Sequence, residues 1–237
     1  MTAELLLMGF PGVPDRCGLS WSSIVLCSID KYKILVDLGA PMARRPLLRE
    51  LAKRSISLQE INMILLTHLH YDHIMNCDLF PDALYVFSET EWIYANSSED
   101  TAISKWSIQA LNSFQKQLLK KDHETIIPGV KALFTPGHTP GSVTYVLDCG
   151  SDKMAILGDA IKNRGELQSG LTNNSAVSRN LQKIMPEANV LLPGHDCRLR
   201  INELSREVVP MEENEVKFVF DGGMTVNGQN PVCLRVD

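Results

Sequence analysis

At 237 residues, 44% of them hydrophobic, the chain is long enough for one large α/β domain or two small ones with a sizeable core. Its formal net charge of −5 excludes a global basic field that would attract nucleic acid or membranes. No apolar run approaches the ~20 residues of a membrane span, and the run at residues 5–8 is too short for a secretory signal. The six cysteines are scattered without a Cys-x-x-Cys pair, which favours reduced thiols and a cytoplasmic location.

Three short apolar segments near the N-terminus predict β-strands. They lie at residues 5–10, 23–29 and 32–36. Asp30 and Lys31 suit a hairpin turn between the second and third strands, and residues 11–15 have the proline and glycine content of a loop. Asp37 closes the third strand, where it either caps the following loop or orients a metal-binding histidine from behind.

Helical and strand signals then alternate up to residue 94. A basic amphipathic helix is predicted over residues 43–54, with Pro46 tolerable only near its first turn. Ser57 and Glu60 have the spacing of a capping box and predict a short helical turn. Strands are predicted at 63–66 and 84–87, and further helical segments at 74–76 and 89–94.

Residues 100–121 alternate apolar and polar side chains near a helical period. The pattern predicts one helix with four buried positions, at Trp106, Leu111, Phe114 and Leu118. Two roles are open for this segment. It either packs on the core or covers a site as a lid, as insertions between sheet strands often do.

From residue 126 the pattern becomes rich in strands. They are predicted at 132–134, 143–147, 154–157 and 189–192, the middle two forming a hairpin, with a helix at 174–185. The tail predicts one helix and two short strands, around residues 221–223 and 227–228. Without an internal repeat or linker, we expect a single domain over residues 1–237, in which two sheets pack together with helices outside.

The densest chemical signal is the segment Thr67-His68-Leu69-His70-Tyr71-Asp72-His73, directly after a predicted buried strand. Imidazole and carboxylate groups together suit zinc, iron or manganese. Three more strands end in small-residue turns that carry a ligand-type side chain, at His138, Asp159 and His195. Five histidines and two aspartates are too many for one tetrahedral ion but suit two. The alternative is a set of ordinary hydrogen-bonding histidines.

Taken together, these motifs resemble the metallo-β-lactamase superfamily over about residues 20–198, and Asp37 matches that family's early aspartate. The resemblance implies a four-layer αβ/βα sandwich, with two mixed sheets flanked by helices and the metals at the sheet edges. It implies a first metal held by His68, His70 and His138. It implies a second metal held by Asp72, His73 and His195, with Asp159 bridging both. Within the family, the chain length and residues 78–83 resemble those of one particular group of members.

The resemblance also implies a hydrolase with two divalent ions, zinc first and iron or manganese as options, that activate water against an ester, thioester, lactone or phosphodiester. Asp72 would also handle a proton. Zinc β-lactamases of the common class carry Cys where Asp159 stands, which disfavours antibiotic hydrolysis. Lys162 and Arg164 follow the bridging aspartate closely and are candidate anchors for an anionic substrate.

Three alternatives to this hydrolase remain open. The first is an RNA phosphodiesterase whose phosphate-binding rim would comprise Arg44, Arg45, Lys162, Arg164, Arg198 and Arg200. The second is a mononuclear iron dioxygenase acting on a small persulfide, and the third is a metal-retaining protein without activity. A small-molecule substrate is the expected partner, no membrane is expected, and a homodimer is one option for the oligomeric state.

Overall fold

The computed structural model describes residues 1–12, 19–173, 175–202, 204–205, 207–218, 229 and 232–235. The strands of the first half are β1 (Thr2–Leu7), β2 (Phe10–Gly12), β3 (Leu19–Trp21), β4 (Ile24–Ile29), β5 (Tyr32–Val36), β6 (Met63–Leu65), β7 (Leu84–Ser88) and β8 (Lys116–Leu119). The remaining strands are β9 (Glu124–Ile127), β10 (Val130–Phe134), β11 (Val143–Asp148), β12 (Lys153–Gly158), β13 (Val190–Pro193), β14 (Leu199–Ile201), β15 (Val208–Pro210), β16 (Glu215–Phe218) and β17 (Val232–Arg235).

The helices of the described residues are α1 (Arg44–Lys53), α2 (Tyr71–Ile74), α3 (Glu89–Ser97), α4 (Lys105–Ser113), α5 (Arg164–Gly170) and α6 (Ala176–Ile184). Single turns of 3-10 helix lie at Pro41–Ala43, Leu58–Glu60 and Cys77–Leu79. None of the helices in this described part is long and apolar enough to cross a membrane. Cys27, Cys77, Cys149 and Cys197 are free thiols.

Most of the strands belong to two large mixed sheets. The first sheet has the order β1-β4-β5-β6-β7-β8 and is parallel from β5 to β8. The second has the order β15-β14-β13-β12-β11-β10-β9, and within it β12 and β13 run parallel. The strand pairs β2–β3 and β16–β17 are separate and antiparallel.

Alternation along each strand divides its side chains between two layers of core. On β5, Ile34 and Val36 point between the sheets, where they join a cluster that includes Tyr145 of β11. Leu35 points the other way and joins the cluster that contains Leu47 of α1. On the outer face of the second sheet, Leu157 packs with the helix α6 in a third cluster. The order helix, sheet, sheet, helix confirms the predicted four-layer sandwich.

One side chain ties the two sheets together through hydrogen bonds. The hydroxyl of Tyr145 donates to the backbone carbonyls of Leu66, at 2.9 Å, and Val86, at 2.8 Å. Both carbonyls belong to the first sheet or its immediate extension, whereas Tyr145 lies on the second. Tyr145 is fully buried, and burial raises its pKa well above the ordinary value, so the hydroxyl stays protonated.

Several local predictions are confirmed and others are wrong. The hairpins β4–β5 and β11–β12 and the capping box at Ser57 form as predicted. The strand predicted over residues 5–10 is instead β1 and β2, because β1 pairs with β4 only up to Leu7. Helix α5 was not predicted. The described part of the tail holds four short strands, β14 to β17, and no helix; residues 221–223 and 227–228 lie outside the described residues, as does 13–15 of the predicted loop.

The single helix predicted over residues 100–121 is also wrong. Helix α4 ends at Ser113, and β8 follows it as a parallel edge strand beside β7. Trp106 is 56% exposed, because the buried face of α4 is formed by Ser107, Ile108 and Leu111. The short α4 therefore buries only part of the predicted apolar stripe.

Candidate metal centre

The predicted ligands converge because four strands end beside one another. β6 leads into the segment from His68 to His73, β10 leads towards His138, and the parallel neighbours β12 and β13 lead into Asp159 and His195. The backbone of Gly194 donates to the carbonyl of Gly158 at 2.9 Å. A Cβ on Gly194 would collide with Asp159 Oδ1, so only glycine allows this approach. The structure thus brings all seven predicted ligands together.

The seven side chains fall into two groups that share a carboxylate. One group comprises His68, His70 and His138, and the other comprises Asp72, His73 and His195. Asp159 lies between them. Its Oδ1 is 3.0 Å from His195 Nε2 and 3.2 Å from His73 Nε2, and its Oδ2 is 3.4 Å from His138 Nε2. Each oxygen of Asp159 therefore faces a different group.

Three atoms of this cluster are buried polar atoms without a hydrogen-bond partner, namely His68 Nε2, His73 Nε2 and Asp159 Oδ1. The contact from His73 to Asp159 is short, but it lacks the alignment of a hydrogen bond. Buried polar atoms are rarely left unpaired in folded proteins. Imidazole nitrogens and carboxylate oxygens that face one point are the donors that zinc and similar divalent metals take. The residues present therefore fit a metal site.

The opposite nitrogen of four of the histidines is held by an outer oxygen atom. His73 Nδ1 lies 2.7 Å from Asp37 Oδ2, and His70 Nε2 lies 3.1 Å from Asp100 Oδ2. His68 Nδ1 lies 3.2 Å from the hydroxyl of Thr67, and His195 Nδ1 lies 3.0 Å from a backbone carbonyl, that of Trp21. Such contacts fix the tautomer and the orientation of each ring, so the inward nitrogens are free to bind a metal.

Asp37 does more than contact His73. Its two carboxylate oxygens also accept from the backbone N–H and the hydroxyl of Thr67, both at 2.8 Å. Its backbone has a φ of +55°, a conformation that Asp and Asn tolerate better than most residues. Asp37 thus joins the end of β5 to the start of the histidine segment and orients His73. Of the two sequence interpretations, the contact matches the orienting one.

Two residues that contact the cluster, Asp100 and Ser20, were missed by sequence reasoning. Asp100 accepts from Tyr94 as well as contacting His70, and Ser20 donates to Asp72 Oδ2 at 3.1 Å. Each lies in a segment whose pattern carries no metal motif, and only the fold brings it to the site. A backbone bridge between His70 and Ile103 places the segment before α4 beside the first ligand group. The lid role predicted for this region stays a prediction.

Burial and mutual charge perturb the cluster strongly. Burial lowers the pKa of His68 well below its usual value and lowers that of His138 to about 4. Burial also opposes charge on His73 and His195, but the neighbouring carboxylates outweigh it and raise both pKa values. The imidazoles of His195 and His73 in turn hold the pKa of Asp159 well below its usual range, against the effect of burial. In the metal-free cluster, the raised pKa values of His73 and His195 favour their protonated forms, whose charge offsets that of the carboxylates.

The two predicted substrate anchors have different surroundings. Nε and Nη2 of Arg164 donate to the two carboxylate oxygens of buried Asp196, at 2.9 and 2.8 Å. This side chain therefore stabilises the turn after His195. Lys162 is partly buried, and its charge contributes to the lowered pKa of His138. His138 is the most open of the five histidines, with 21% of its side chain exposed. The ammonium of Lys162 therefore lies within electrostatic range of the open side of the cluster.

The fold and the His/Asp cluster define the class of protein. The chain belongs to the metallo-beta-lactamase superfamily, whose family model matches residues 16–195. The finer similarity is to metallo-beta-lactamase domain-containing protein 1. The mouse protein of that name is 27% identical over 186 residues, covering 76% of this chain and 65% of the mouse protein. The chain therefore matches slightly less than two thirds of that relative's length.

Solved structures give the same fold. A candidate metallo-beta-lactamase from Thermotoga maritima superposes with a TM-score of 0.75 at 25% identity, covering 84% of this chain and 98% of that one. A dizinc quorum-quenching lactonase superposes with a TM-score of 0.64 at 18% identity, covering 81% and 79% of the two chains. The predictions of the superfamily and of its fold are confirmed, and the superfamily includes relatives named as probable metallo-hydrolases.

Proposed function

We propose that this chain is a hydrolase that uses two divalent ions, with zinc favoured over iron or manganese. His68, His70, His138 and Asp159 would hold the first ion, and Asp72, His73, His195 and Asp159 the second. The observation that carries the proposal is a set of three buried polar atoms in the cluster that have no hydrogen-bond partner. They are His68 Nε2, His73 Nε2 and Asp159 Oδ1. The dizinc lactonase with the same fold supports the choice of metal.

When bound, the ions would supply activated water near neutral pH and polarise the substrate's oxygen. The chain's own residues prepare for this in three ways. Asp159, with a pKa far below its usual range, offers an ionised carboxylate to both groups. Asp37 accepts the Nδ1 proton of His73, so the proton that a metal ion would displace from this ring is the one on Nε2. Asp72 is buried, and its carboxylate accepts from the hydroxyl of Ser20, which holds it within the second ligand group, where it would also handle a proton.

The substrate proposed is an ester, thioester, lactone or phosphodiester that carries a negative charge near the bond to be cleaved. Lys162 supports this choice, because its ammonium has no acidic partner among the described residues and its charge reaches His138. Arg164 contributes indirectly, since its guanidinium is engaged by Asp196. A small molecule fits better than RNA. Among the six cations considered for an RNA-binding rim, four pair with acidic side chains: Arg44 with Asp78, Arg164 with Asp196, Arg198 with Glu212, and Arg200 with Asp152.

The test begins with metal content in protein purified without added metal, followed by titration with zinc, manganese and iron. Ester, thioester, lactone, phosphodiester and β-lactam probes are then assayed. We expect two ions per chain, hydrolysis of at least one ester-like probe and little turnover of β-lactams. Asp159→Ala should lose at least one ion and the activity, whereas Asp82→Ala, at an exposed turn, should keep both. A single tightly bound iron would favour the dioxygenase alternative, and activity that survives Asp159→Ala would contradict the proposal.

A further inference from the structure

Helix α3 carries a buried carboxylate that the proposed chemistry does not use. Glu91 is 0% exposed, and its side chain accepts three hydrogen bonds. Oε1 accepts from the backbone N–H of Leu69 at 3.0 Å. Oε2 accepts from the hydroxyl of Thr139 at 2.6 Å and from the backbone N–H of Gly141 at 3.1 Å. A buried carboxylate is costly unless such donors satisfy it.

The three donors belong to the two loops that carry the first ligand group. Leu69 lies between His68 and His70 in the chain, and Thr139 directly follows His138. The first loop extends from β6 of one sheet, and the second extends from β10 of the other. No backbone ladder joins β6 to β10, since the two strands belong to different sheets, but one backbone hydrogen bond joins the bases of the loops, from the N–H of Val143 to the carbonyl of Thr67 at 2.8 Å. Glu91 therefore joins both loops at the point where the two sheets contribute histidines to one group.

The packing around Gly141 keeps this connection close. A Cβ on Gly141 would collide with the backbone of Glu91, so the loop can lie directly against the first turn of α3. Ser88, the residue that caps α3, donates its hydroxyl to the carbonyl of Gly141 at 2.6 Å and accepts from the N–H of Glu91 at 3.0 Å. The helix start and the loop after His138 thus form one hydrogen-bonded unit.

We propose that Glu91 is a positioning residue for His68, His70 and His138. It fixes the distance between their two loops and so sets the affinity of the first metal ion, without contacting that ion. The second group has a different support, through Asp37 and the backbone of Trp21. Loss of Glu91 therefore affects the two ions unequally. This inference rests on the two-ion site of the proposed function.

The test compares Glu91→Gln with Glu89→Gln. Glutamine has nearly the shape of glutamate, but its NH2 group replaces one oxygen and would face N–H donors that need an acceptor. Glu89 lies two residues away on α3, is half-buried, and forms an ion pair at the surface with Lys120, 3.1 Å away. If Glu91→Gln impairs folding, Thr139→Val provides a second variant, which removes one donor and leaves the carboxylate in place.

The measurement is stepwise binding of cobalt by chelator competition and by the cobalt absorption bands, together with the unfolding temperature of the metal-free protein. His138→Ala and His195→Ala assign the bands to the two groups. In Glu91→Gln we expect the affinity of the ion assigned through His138 to fall about tenfold or more, as for other outer partners of metal ligands. The other ion should be unchanged, and Glu89→Gln should match the wild type at both.

Two results would overturn the inference. One is wild-type affinity for both ions in Glu91→Gln. The other is an equal loss at both sites, accompanied by a lower unfolding temperature without metal, which would mean that Glu91 supports the fold in general. If the wild-type protein itself binds no metal, the proposed function fails first. The cobalt titration of the wild type separates that failure from the failure of the inference about Glu91.

Discussion

Replacing Asp37 with Asn tests how the second ligand group is oriented. Asp37 Oδ2 lies 2.7 Å from His73 Nδ1 and also accepts from the hydroxyl of Thr67, while Oδ1 accepts from the N–H of Thr67. The best placement of the amide keeps its oxygen towards the N–H of Thr67 and puts the NH2 group towards His73. Asn also tolerates the φ of +55° at this position, so the backbone is not strained by the change.

The consequence follows from the tautomer of His73. An NH2 group facing Nδ1 favours the ring form with Nδ1 unprotonated and Nε2 protonated. A protonated Nε2 has no lone pair for a metal, and this is the atom that faces Asp159 at 3.2 Å. Removing an outer partner of this kind typically costs 10–100-fold in metal affinity, which corresponds to about 1.4–2.7 kcal/mol.

The assay is chelator competition for zinc, read separately for the two ions, with circular dichroism to confirm that the fold is retained. Asp78→Asn is the matched control, because Asp78 pairs with Arg44 at the surface and lies outside the cluster. We expect Asp37→Asn to weaken the ion held through His73 and to leave the other ion less affected. Unchanged affinity for both ions in a folded Asp37→Asn protein would refute the argument about the tautomer.

Three further predictions follow from the same contacts. Metal uptake should release protons, because the raised pKa values of His73 and His195 favour their protonated forms without metal, and metal affinity should therefore fall as the pH is lowered. Calorimetry in buffers of different ionisation enthalpy would detect the released protons, and their absence would count against the assignment. Lys162→Ala should raise KM for an anionic substrate with little change in metal content, and equal kinetics in wild type and Lys162→Ala would exclude the anchor. Arg164→Ala should lower the unfolding temperature, since it removes the cationic partner of the buried Asp196 carboxylate. Tyr145→Phe should destabilise the fold by about 1–3 kcal/mol in urea unfolding, because the buried carbonyl of Leu66 loses this donor, whereas that of Val86 keeps the N–H of Leu66. An unchanged midpoint would contradict that role.

The strands that lead into the cluster could be predicted because their sequences are unambiguous. Each is a short apolar run that stops at glycine, proline or a polar ligand, as in residues 63–66 before His68 and 189–192 before Pro193. A strand buried on both faces gives such a continuous run. The turn after it then places a functional side chain at the end of the sheet. The positions of His68, Asp159 and His195 at strand ends are consequences of these local patterns.

The residues that contact the metal-ligand cluster from outside could not be predicted, because these contacts join segments that are distant in the sequence. Glu91 and Asp100 lie in stretches whose sequences predict ordinary helix, and only the fold brings them to their partners, Leu69 for Glu91 and His70 for Asp100. The error at residues 100–121 has a local cause. The run from Lys116 to Leu119 fits a helix or a strand equally well, and pairing with β7 decides the outcome.

Helix α5 was missed for a different reason. Its sequence contains two glycines, Gly165 and Gly170, which lower helix propensity. The stronger signal was the cap, since the side chain of Asn163 accepts from the N–H of Glu166 at 3.0 Å. Asparagine followed by glutamate three residues later is typical of a helix start. This signal was available in the sequence and places Arg164 in the first turn of a helix, where its guanidinium meets Asp196.

The central claim is that the cluster around Asp159 holds two metal ions. The most direct test is a crystal structure of the protein grown with zinc, with anomalous diffraction recorded on both sides of the zinc absorption edge. We predict two anomalous peaks about 3.5–4 Å apart, one beside His68, His70 and His138 and the other beside Asp72, His73 and His195, with Asp159 between them. A single peak, or no peak among these histidines, would contradict the account.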